Sequence, residues 1–131
     1  MKSFDIQNGQ GIISEGTRTI KSNAFGNFLS YSTLRSVVIP DSVTRIGDEA
    51  FADCPALTSI VIPDSVTVIE HQAFTDCSGL TGIFLPRPLS DYYDAGFEGC
   101  ENLRHIFVPA GMMERFKDCL PERLHGLITE R

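Results

Sequence analysis

A block of 23 residues recurs along this chain, with Leu34, Leu57, Leu80 and Leu103 at constant spacing. The two best copies read LRSVVIPDSVTRIGDEAFADCPA from Leu34 and LTSIVIPDSVTVIEHQAFTDCSG from Leu57. Self-similarity at a fixed period of about 20–50 residues marks a solenoid, in which each unit buries its apolar face only against its neighbours. Such a fold offers a surface rather than an enclosed catalytic cleft.

Within one copy the pattern is Leu-x-x-Ile-x-Ile-Pro-x-x-Val-x-x-Ile-x-x-x-Ala-Phe-x-x-Cys. Residues 57–62 are rich in β-branched side chains, with Ile60 and Ile62 alternating, which predicts a short strand. Pro63 lacks an amide donor, ends that strand and leads into the turn Asp64-Ser65. A second extended piece carries Val66 and Ile69. Residues 72–75 then read as a single helical turn pointing Ala73 and Phe74 inward, and Asp76, Ser78 and Gly79 turn the chain back.

The outer copies drift. Ile12, Ile13, Ile20, Ala24 and Phe25 match Val38, Ile39, Ile46, Ala50 and Phe51 at an offset of 26, so the additional residues fall in the loop 26–33. The copy from Leu80 carries Arg87-Pro88-Leu89-Ser90-Asp91-Tyr92-Tyr93 in place of the usual turn and second piece, which sets Tyr92 inward. The copy from Leu103 keeps Ile106, Val108 and Pro109, then abandons the repeat. Met112, Met113, Phe116, Cys119 and Leu120, followed after Pro121 by Leu124, Leu127 and Ile128, predict two short amphipathic helices closing the last coil. The expectation is a single domain, 1–131. It divides into a degenerate first coil (4–33), repeats at 34–56, 57–79 and 80–102, and a last strand with its cap at 103–131.

Cys54, Cys77 and Cys100 keep the same spacing, so they form one column of the repeat and are expected as buried reduced thiols acting as small hydrophobes. Cys119 falls outside it. No CxxC or paired Cys/His spacing suggests a zinc site, and no metal or cofactor is expected. A net charge of −6 argues against nucleic acid or anionic membrane as the main partner. The C-terminal cations Arg104, Arg115, Lys117, Arg123 and Arg131 interleave with Glu114, Asp118, Glu122 and Glu130, as on a solvated helical face. No apolar run reaches the roughly 18–20 residues that span a bilayer. MKSFDIQNGQ lacks the apolar core of a secretory leader, which leaves a cytoplasmic chain or one whose leader has been trimmed.

Leu-x-x-Ile-x-Ile-Pro-x-Ser-Val-Thr-x-Ile followed by Ala-Phe-x-x-Cys resembles the BspA-like (Treponema pallidum type) leucine-rich repeats. The match runs from Ile12 to Pro109, and Ile106-Phe107-Val108-Pro109-Ala110-Gly111 resembles the terminator of bacterial members. The resemblance implies an α/β-type repeat solenoid. It would be a right-handed, curved leucine-rich-repeat coil of about five repeats, with short strands on the concave side and a helical cap. It also implies adhesion or protein binding in secreted or cell-surface proteins.

Catalysis finds little support. Asp41-Ser42 and Asp64-Ser65 are the same turn repeated, as a structural role predicts. His71, His105 and His125 occupy unrelated repeat positions, with no HExxH or GxSxG. Binding fares better, because alternation leaves one residue between the two inward ones facing the concave surface. That column reads Ile12, Val38, Val61, Phe84, Phe107, apolar in every coil, and exposed patches of that kind mark interaction sites. The same residue types also favour strands for their own sake. Gln10, Ser36, Ser59, Gly82 and His105 flank the column, with Arg35 and Arg104 beyond; Tyr93 on the opposite side is a weaker candidate. Two functions follow: a module recognising a protein, less readily a glycan, across the strands, or a structural spacer that self-associates weakly.

Overall fold

The computed structural model describes residues 4–25, 34–89 and 97–131. Its first element is a hairpin in which β1 (Phe4–Gln7) pairs antiparallel with β2 (Gln10–Ile13). Asn8 and Gly9 both take positive φ, 53° and 81°, the geometry of a two-residue hairpin turn whose twist matches the strands. The repeat pattern gives no hint of this hairpin within the first coil.

From β2 onward each coil repeats one circuit. On one face lie β2, β4 (Ser36–Val37), β6 (Ser59–Val61), β8 (Gly82–Phe84) and β9 (His105–Val108). On the next lie β3 (Thr19–Ile20), β5 (Arg45–Ile46) and β7 (Val68–Ile69), paired parallel in that order. The 23-residue period is a strand register: Ser59, Gly82 and His105 are direct partners, as are Ile60, Ile83 and Ile106. The offset of the first coil is equally real, since Gln10 pairs with Ser36 and Thr19 with Arg45. The result is a parallel-strand solenoid with little helix.

The third face departs from expectation. No helical turn forms at 72–75, because Gln72 sits at φ 57° and Asp76 at 59°, matched one coil earlier by Glu49 at 54° and Asp53 at 58°. A left-handed residue breaks the run of right-handed ones that a helix needs. The amides are satisfied between coils instead: Glu49, Phe51 and Asp53 donate to the carbonyls of His71, Ala73 and Thr75 at 3.3, 2.9 and 2.9 Å. Ala73 and Phe74 point inward as expected.

These ties stack the coils into a continuous apolar core. Phe25, Phe51, Phe74 and Phe97 form a ladder of near-parallel rings with centroids 5.4, 5.8 and 5.7 Å apart. No polar or charged residue is buried among the described residues. The thiol column lies beside this ladder. Sγ of Cys54, Cys77 and Cys100 donates to the carbonyls of Phe25, Phe51 and Phe74, one coil earlier. The neighbouring Cys100 pulls the Cys77 thiol down, but the neighbouring Cys54 and burial outweigh this and push it up to about 12. Cys100 is raised by the neighbouring Cys77 and by burial, and Cys119 by burial. Burial thus favours the protonated thiol at Cys77 and Cys100.

The C-terminal cap carries the two short helices, and a strand follows them. A short α1 (Met113–Lys117) buries Phe116, a 3-10 helix (Glu122–Leu127) buries Leu124, and the chain then returns as β10 (Ile128–Glu130). Ile128, assigned to the second helix by spacing, is a strand residue paired with Ile106. Ile128 is the one buried residue of that strand, and the open edge of β9 is what draws it out of the helix. The inward position assigned to Tyr92, and the loop 26–33, lie outside the described residues.

One discontinuity interrupts the strand face. Sheets β1-β2-β4 and β6-β8-β9-β10 are separate, and no ladder joins β4 to β6 although they are neighbours. Behind this seam the same two coils are laddered through β5 and β7. Ile62 donates to Phe84 across β6 and β8, so the alternate amide, Val61, faces the seam. We expect Val61 to exchange its amide hydrogen through an opening easier by about 1 kcal/mol, the net worth of one hydrogen bond, than Phe84 one coil on. Hydrogen exchange resolved by NMR reads this directly, and equal protection of the two amides would contradict it.

Candidate binding surface

On a laddered parallel strand the inward residues are held by the core and the outward ones stand in register. Ile13, Val37, Ile39, Ile60, Ile62, Ile83, Ile106 and Val108 all point inward and are buried. Between them the proposed column emerges outward. Val38 is 68% exposed and Val61 55%, the two large hydrophobics most open to solvent among the described residues, while Ile12, Phe84 and Phe107 are half-buried. Val61, Phe84 and Phe107 are direct strand partners, and Thr129 of β10 continues their row. Ile12 and Val38 lie across the seam, on the side of the other sheet.

The column changes character along its length. At Val38 and Val61 it is open aliphatic surface. At the far end Phe84 and Phe107 stack with centroids 4.5 Å apart, and His105 stacks on Phe107 at 5.1 Å. Gly82 makes this possible: a Cβ there would come within 3.3 Å of the Phe107 ring, so the ring leans over a residue with no side chain. His105 Nδ1 lies 3.3 Å from the Thr129 hydroxyl.

Arg131 is the contributor that sequence reasoning missed. Its guanidinium carbon stands 4.9 Å from the Phe84 ring centroid, a cation–π contact. The sequence places Arg131 in a mixed-charge C-terminal stretch; only the return of β10 beside β9 brings it over a residue two coils earlier. Nothing in local spacing signals this.

The flanking residues stand as placed by the repeat. Gln10, Ser36 and Ser59 are exposed, as are Arg35 and Arg104. Among the described residues none of Arg35, Arg104 and Arg131 meets a carboxylate; the ion pairs there are Arg45–Glu70 and Lys117–Glu114, both at 3.3 Å. Tyr93, the weaker candidate, lies outside the described residues.

The chemistry-bearing residues elsewhere remain apart. Ser42 Oγ donates to the Thr17 carbonyl at 2.8 Å, tying one turn to the coil before it. His125 Nε2 lies 3.0 Å from the Leu120 carbonyl in the cap, while His71 is exposed on the turn face. Among the described residues no group of three His, Cys, Asp or Glu side chains could hold a metal, and no helix is long and apolar enough to cross a membrane.

Solved structures share this fold. The chain is similar to the leucine-rich repeat protein TpLRR of T. pallidum, with 28% identity and a TM-score of 0.62 over 86% of this chain and 54% of that one. A leucine-rich repeat protein from Bacteroides ovatus is 26% identical with a TM-score of 0.58, covering 88% of this chain and 28% of that one. A leucine-rich cell surface protein from Faecalibacterium prausnitzii, 23% identical, shares the fold with a TM-score of 0.65, over 87% of this chain and 35% of that one. The chain thus spans about half the length of the first of these relatives and less of the others. No curated protein matches it significantly. The BspA type leucine rich repeat region matches residues 3–120 in six copies, so the chain belongs to the BspA-type leucine-rich repeat family.

Proposed function

We propose that this chain is a non-catalytic protein-interaction module that recognises its partner across the outward residues of the strand face, in a bacterial surface-like setting. The observation that carries the reading is the column Val38, Val61, Phe84, Phe107. Aliphatic side chains more than half exposed at adjacent coils cost free energy in water, and that cost is recovered when a partner covers them. Ser36, Ser59, His105, Arg35 and Arg104 border the column with polar groups, the anatomy of an apolar core inside a polar rim. The non-catalytic part rests on the candidate side chains lying on different elements: Ser42 holds an inter-coil hydrogen bond, His71 sits on the turn face and His125 in the cap. A self-associating spacer is the competing reading.

The test is a comparison of wild type with a Val38→Asp, Val61→Asp double variant as bait against lysates. Both positions are exposed enough for the fold to tolerate the change. A partner captured by wild type and lost by the variant, with circular dichroism unchanged, is the expected result. Equal capture by both would move the site to another face. A mass that rises with concentration in wild type and not in the variant would favour the spacer.

A further inference from the structure

Resting on the strand face as the binding surface, we propose that its ligand is an acidic polypeptide segment carrying aliphatic side chains. The first observation is charge segregation. The chain has 17 Asp and Glu against 11 Lys and Arg, yet segments 34–40, 57–63, 80–86 and 103–109, which carry β4, β6, β8 and β9, contain no acidic residue. Their charged side chains are Arg35 and Arg104 alone, with His105 beside them. Acidic residues are thus absent from these four central strands and occur in their sheets only in the flanking strands, Asp5 in β1 and Glu130 in β10.

The second observation is that the cations there are uncommitted. Arg35, Arg104 and Arg131 form no ion pair among the described residues, and Arg131 is held over Phe84. A guanidinium stacked on a ring still presents its N–H edge, and its planar fork matches a carboxylate in two parallel hydrogen bonds. Arg131 and Arg104 stand at the aromatic end of the stripe and Arg35 near its aliphatic end. From Val38 to Phe107 the stripe crosses two paired-strand steps of about 4.8 Å and the unladdered seam, the length of about four or five extended residues. A short segment with aliphatic side chains against Val38 and Val61 and carboxylates toward the arginines satisfies both features together. A nucleic acid or sulfated glycan fits less well: polyanions need a run of cations along their backbone, and they would leave the aliphatic stripe uncovered.

Selection from a random dodecapeptide phage library tests this without requiring a named ligand. Wild type is panned alongside an Arg104→Glu, Arg131→Glu variant and the Val38→Asp, Val61→Asp variant, all checked by circular dichroism. We expect wild type to enrich clones of net negative charge rich in Leu, Ile or Val. Synthetic peptides from those clones should bind at least about tenfold more weakly to the arginine variant and to the valine variant, and more weakly in high salt. Neutral or basic clones, no enrichment, affinity untouched by the arginine variant, or heparin bound as tightly as the peptides would each overturn the proposal. If lysate capture depends on Val38 and Val61 while panning shows no acidic bias, the strand-face reading stands and only this inference falls.

Discussion

Replacing Phe74 with Ala should destabilise the protein by about 3–5 kcal/mol, the range for truncating a fully buried phenylalanine. Phe74 is wholly buried and stacks on Phe51 and Phe97 on its two sides, so the cavity opens in the middle of the aromatic ladder. Its neighbours cannot close in. The coils around the cavity are held by inter-coil bonds, including the Phe51 amide to the Ala73 carbonyl and the Cys100 thiol to the Phe74 carbonyl. A domain this size holds only about 5–15 kcal/mol in total, so the variant approaches unfolding at physiological temperature. Urea denaturation at unchanged m-value measures the loss. A drop under about 1 kcal/mol would mean that the ladder is not one continuous core.

A still sharper contrast is expected between two adjacent residues. Ile60→Asp should abolish folding, whereas Val61→Asp should cost no more than about 1 kcal/mol, the span of strand preference. Ile60 is 1% exposed and laddered to Ile83, with no polar residue buried nearby to receive a carboxylate. Burying an unpaired charge there costs several kcal/mol or forces the strand apart. Val61 points the opposite way, at 55% exposure, and a carboxylate there stays in water. Thermal unfolding of both proteins by circular dichroism reads the difference. Similar melting temperatures for the two would refute the strand register and, with it, the outward column.

These two results bear on how much is legible in the residues themselves. The recurrence of Leu, Ile, Pro, Phe and Cys at one period is enough to assign inward and outward columns, because the period of a solenoid is also its strand register. Hence the sequence alone places Ile60 and Val61 on opposite faces. Even the irregular first coil aligns through Ile20 and Phe25. The hairpin of β1 and β2 escapes the repeat pattern, yet it has a signal in Asn8-Gly9, the preferred pair for a two-residue turn. The turn face is ambiguous because Ala73-Phe74 flanked by polar residues suits a helical turn as well as it suits the left-handed turn that forms.

What the chain determined by itself was the repeat: which residues enter the core, how the coils stack, and which apolar column is left facing out. Each of these depends on side-chain chemistry recurring at fixed spacing, so local information suffices. The tertiary structure alone decided the rest. It set Ile128 in a strand rather than a helix, because β9 offered an unpaired edge. It left β4 and β6 unladdered in front while joining β5 to β7 behind. And it carried Arg131 across two coils to the ring of Phe84. None of these follows from spacing, because each depends on where segments of the chain meet in space.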